Sequence, residues 1–107
     1  MNTKEVLLYL LKTTPNEDLV MSTCGSKWNQ PIDQCGCLAH QYALFTGYYR
    51  VGDYVDKQAI VLVHDIISLF PPEEHSALTD IFGLGKYSYH KDTPKHVVRA
   101  IIEESLP

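Results

Sequence analysis

The chain of 107 residues has no run of lysine and arginine: nine basic side chains are scattered among thirteen acidic ones, for a net charge of −4. Neutralising successive phosphates requires clustered cations, so this distribution argues against direct nucleic-acid binding. The acidic surplus is compatible with docking on a basic protein, but is too small and too dispersed to imitate a nucleic acid. Long hydrophobic runs are also missing. The stretch 6–11, which follows charged Lys4 and Glu5, is too short for a secretory core or a membrane span. There is no internal repeat and no low-complexity segment. Cysteine is scarce, at three residues, and an odd number would leave one thiol over in a secreted disulfide framework. These absences together predict a soluble cytoplasmic protein without membrane association.

With 45% apolar and 21% charged residues, the chain has the composition of one globular domain, residues 1–107, able to bury its own core. Its hydrophobic spacing predicts an all-α fold, a compact bundle of about five helices. The first spans about 3–12: Asn2 is placed to cap it, Glu5 follows as in a capping box, and Val6, Leu7, Leu10 and Leu11 share a face. Residues 17–28 read as irregular. A second helix begins near Cys35 or Gly36 and ends at Gly47, with Leu38, Tyr42 and Phe45 one turn apart.

The third helix carries the strongest pattern. Asp53 can cap it, and Val55, Ala59, Leu62, Val63, Ile66 and Phe70 recur at helical spacing. Ile60, Val61 and Ile67 widen the apolar arc, which predicts a central position in the bundle. A short β-branched run at 59–63 fits a buried strand equally well by periodicity alone. Pro71 and Pro72 followed by Glu73 and Glu74 open a fourth helix that turns Ala77, Leu78, Ile81 and Phe82 inward and stops at Gly83 and Gly85. Thr93 as cap and Pro94 at the first position open the last, with Val97, Val98, Ile101 and Ile102 inward.

Cys24-Gly25-Ser26, Cys37-Leu38-Ala39 at a helix start, Phe82-Gly83-Leu84 and the Thr93-Pro94 helix together resemble the outline of small helical proteins of bacteriophages and bacteria. The likeness covers about 19–47 and 78–102. This chain departs from that outline by a longer insertion between the cysteine segments, by an additional Cys35, and by His40 in place of a glycine. The resemblance implies a small helical protein and carries no activity with it.

Three sets of residues bear chemistry. Cys24, Cys35, Cys37 and His40 are the one cluster of soft ligands, and could close a tetrahedral zinc site, because Cys37 and His40 share a helix face. Cys-x-Cys is not the usual Cys-x2-Cys knuckle and no second knuckle exists, so small apolar thiols in or near the core are the competing reading, with no cofactor. Cys35 or Cys37 at a helix N-terminus could also act as a nucleophile with a histidine base. Gln34-Cys35-Gly36-Cys37 resembles the cysteine stretch of papain-like proteases, but their histidine and asparagine lie on a sheet that this pattern lacks. The second set is Tyr48, Tyr49, Arg50 and Tyr54, and the third is Tyr87 and Tyr89; both combine contact area with polar tips, as binding surfaces do. His64-Asp65, Glu73-Glu74-His75 and Gly83-Leu84-Gly85 have neither metal-helix nor phosphate-loop spacing. The reading that results is a module that binds another protein, of the phage accessory or inhibitor type, without catalysis.

Overall fold

Five short helices follow one another round a shared core in the computed structural model, which describes residues 2–13, 38–54, 59–82 and 94–107. They are α1 (Thr3–Thr13), α2 (Leu38–Thr46), α3 (Ala59–Ile67), α4 (His75–Ile81) and α5 (Lys95–Ser105), with a 3-10 turn, Pro72–Glu74, leading into α4. No strand occurs among the described residues. The run at 59–63 is helical, so the fold is all-α. No helix of the described residues is long and apolar enough to cross a membrane.

Local chemistry sets the helix ends. Asn2 Oδ1 accepts the Glu5 N–H at 2.8 Å while Glu5 Oε1 faces the Asn2 N–H at 3.4 Å, the reciprocal capping box read from the sequence. Gly47 (φ 79°) closes α2 in the left-handed region, and its N–H donates to Leu44 O. The next carbonyl back, Ala43 O, is taken by the Tyr49 N–H rather than by that of residue 48. This bond turns the chain sharply under the end of α2. Residues 50–53 then form a second turn, in which the Asp53 N–H donates to Arg50 O and Gly52 takes the positive φ (93°) that its third position needs.

Packing gives the arrangement its logic. Among the described residues α1 packs on α2, α2 on α3, α3 on α4 and α4 on α5, and α1 also packs on α5. The helices therefore form a closed ring in chain order. Its interior is filled by Leu7 and Leu11, Leu38 and Ala43, Leu62 and Ile66, Leu78 and Ile81, and Val98 and Ile102, one pair from each helix and all buried. Phe82 and Phe70, just beyond α4 and α3, plug the remaining space. The radius of gyration, 12.4 Å, matches the value of about 13 Å for a compact chain of this length.

Several expectations about faces need correction. The third helix is one stave of the ring rather than its centre, and Val61 is exposed although its apolar neighbours suggested a wider buried arc. The Asp53 carboxylate accepts the Arg50 N–H at 2.8 Å, three residues behind, as aspartate does in tight turns, while the N–H groups it was expected to cap lie outside the described residues. Residues 55–58, where a start of α3 was expected, lie outside the described residues, as do Gly83, Gly85 and Thr93. Pro94 is the N-cap residue of α5 rather than its first helical position, and Val97 points outward. Phe45 is half exposed, because α2 buries the side containing Leu38, Ala39, His40 and Ala43.

The ring predicts a contrast within α3. Leu62→Ala opens a cavity in a packed interior and is expected to lower unfolding free energy by about 2–5 kcal/mol. The neighbouring Val61→Ala, at an exposed position, is expected to change it by less than about 0.5 kcal/mol. Urea denaturation followed by circular dichroism measures both, and equal losses would contradict the assignment of inner and outer faces.

Candidate functional site

The short segment from Phe45 to Tyr54 concentrates exposed apolar surface. Val51 is 76% exposed, Tyr54 59%, Phe45 51% and Tyr48 39%, and Arg50 is exposed among them. Large apolar side chains scattered singly on a surface need no explanation, but four within ten residues concentrate apolar exposure in one stretch of the chain, termed the patch. The backbone beneath them is pinned at the end of α2, at Gly47 and Gly52, and by the Asp53 carboxylate on Arg50.

Buried rings support the exposed ones. The Phe45 ring lies 6.5 Å from that of Tyr42, which stacks on Phe70 at 4.1 Å with an interplanar angle of 21°. Tyr48 meets Tyr49 edge to face at 5.2 Å and 85°. Its hydroxyl donates across to Asp65 Oδ2 of α3 at 3.4 Å. Edge-to-face and offset pairs of this kind add about 0.5–1.5 kcal/mol beyond area burial and hold the outer ring in place.

Tyr49 is the member that does not belong on the surface. It is 9% exposed and part of the core, so the tyrosines expected to form one contact group divide into an anchor, Tyr49, and outward-facing Tyr48 and Tyr54. The Tyr49 N–H bonds to Ala43 O at the end of α2 and its ring is buried, while Tyr48 packs edge-on against that ring and stays partly exposed. Tyr87 and Tyr89 lie outside the described residues. Phe45 and Val51 were missed by sequence reasoning, the first because helical spacing placed it with Leu38 and Tyr42, the second because an isolated valine in a turn carries no pattern.

Beside the patch, Tyr42 has its phenol held above the usual range by burial and, second, by the negative charge of Glu74. Glu74 Oε1 accepts the Thr3 hydroxyl at 2.7 Å, which ties the start of α1 to the turn before α4. His75 Nε2 lies 2.9 Å from Phe70 O, so the ring acts there as a donor to a backbone carbonyl. These contacts join structural elements. They bring no nucleophile and base together.

Of the soft-ligand cluster, Cys24, Cys35 and Cys37 lie outside the described residues. His40 is described: it is 3% exposed in the first turn of α2, and desolvation pushes its pKa down to about 4. The imidazole is therefore neutral at physiological pH, with one ring nitrogen a donor and the other an acceptor. Among the described residues no group of three His, Cys, Asp or Glu side chains is placed to hold a metal ion. No family model, curated protein or solved structure matches the chain.

Two expectations follow. His40 has a folded pKa near 4 against an ordinary 6.5. Below pH 6.5 the unfolded chain takes up a proton that the folded chain refuses, so stability falls as pH drops from 6.5 toward 4, by an amount on the order of 3 kcal/mol at one proton per chain. A nuclear magnetic resonance titration of the His40 ring checks this directly: it is expected to stay neutral at pH 5.5, and a midpoint near 6.5 would contradict it. Tyr49→Ala is expected to cost about 3–5 kcal/mol of stability as a large core truncation, and Tyr48→Ala less than about 1 kcal/mol. Thermal unfolding of the two variants separates anchor from surface.

Proposed function

We propose that this chain is a small cytoplasmic protein-binding module that works by contact with another protein, without catalysis and without touching nucleic acid directly. The observation that carries the proposal is the patch of Phe45, Tyr48, Val51 and Tyr54 around exposed Arg50, set on a backbone already fixed by Gly47, Gly52 and the buried Tyr49. Aromatic and arginine side chains predominate among the residues whose truncation weakens protein interfaces. A turn already fixed in shape loses little further conformational freedom on binding, which favours affinity. An accessory or inhibitor role of the phage type is the kind of task a domain of this size performs by occupying another protein's surface. Tyr87 and Tyr89 belong to the proposal as candidate extensions of the same surface.

The test is affinity capture of native partners with the intact chain, followed by quantitative mass spectrometry. Tyr48→Ala and Tyr54→Ala are expected to weaken capture of a specific partner by about 1–4 kcal/mol while leaving the melting temperature nearly unchanged. Cys37→Ser is expected to leave capture intact. Tyrosine variants that capture normally, alongside a Cys37→Ser variant that loses an activity without unfolding, would turn the reading toward thiol chemistry. The hydrolase alternative gains no support from His40, the base nearest to Cys37 in sequence, because burial lowers its pKa to about 4 and leaves it a weak base for a thiol proton at neutral pH.

One observation favours a second reading, a zinc-stabilised module using Cys24, Cys35, Cys37 and His40. A neutral imidazole three residues after Cys37 is in the protonation state that metal ligation requires. On this reading the purified chain carries about one zinc ion, and chelation at neutral pH lowers its melting temperature. Elemental analysis with melting curves before and after chelation decides it. Metal-free protein that melts unchanged leaves His40 as a core residue and the cysteines as ordinary thiols.

A further inference from the structure

We draw no further inference here: the strongest candidate, the exposed apolar side chains of Val61 on α3 and Leu69 in the turn after it, carries nothing because nothing in the structure shows what covers them.

Discussion

The packing of α1 against α5 is the contact on which the rest depends. Helices of 7 to 11 residues are marginal alone in water, where the entropy of nucleation outweighs so few propagating hydrogen bonds. Each helix here is stabilised by the apolar stripe it buries against two neighbours, and that holds for the terminal helices only if the ring closes. Buried Leu7 and Leu11 belong to one of these helices and buried Val98 and Ile102 to the other. Local devices then trim the ends: the Asn2/Glu5 box at one, the buried Leu106 after α5 at the other.

A closed ring with one core leaves the connections between helices to the outside, and the segment after α2 shows what this permits. Tyr49 belongs to the shared core, so the turn that contains it is held as firmly as a helix end. Around it Phe45, Val51 and Tyr54 expose apolar surface, and Tyr48 does so while packed on Tyr49 and bonded to Asp65. Exposed apolar area gives no stability to the monomer, whereas the same area removed from water by a partner contributes about 25 cal/mol per Å² before the costs of association. Buried and exposed aromatic residues thus lie within one short segment.

The fold class could be read from the residues because it rests on signals that are local or periodic. Asn2 with Glu5, Gly47 after an apolar stretch, the Pro-Pro-Glu-Glu start and the spacing of Val98, Ile101 and Ile102 each have one straightforward structural meaning. Depth is different. Periodicity identifies a face but not how far it sinks, so Phe45, Val61 and Val97 were taken inward when only part of each stripe meets the core. Asp53 suits both a helix cap and a tight turn, and its bond to the Arg50 N–H is a contact that spacing alone does not reveal. Tyr48 and Tyr49 are chemically identical in the sequence; the burial in the shared core that separates them is a tertiary fact. The soft-ligand spacing, by contrast, remains a sequence observation, with His40 as its described member.

The central claim is that Tyr48 and Tyr54 are the contact residues and Tyr49 their buried support. Hydroxyl-radical footprinting of the intact chain, free and in its captured complex, measures the exposure of each tyrosine, with half-exposed Tyr9 on α1 as internal reference. The account predicts that Tyr48 and Tyr54 react in the free protein and become protected in the complex, while Tyr49 is protected in both and Tyr9 reacts in both. Tyr48 and Tyr54 equally reactive in both states, or Tyr49 as reactive as Tyr9 in the free protein, would contradict it.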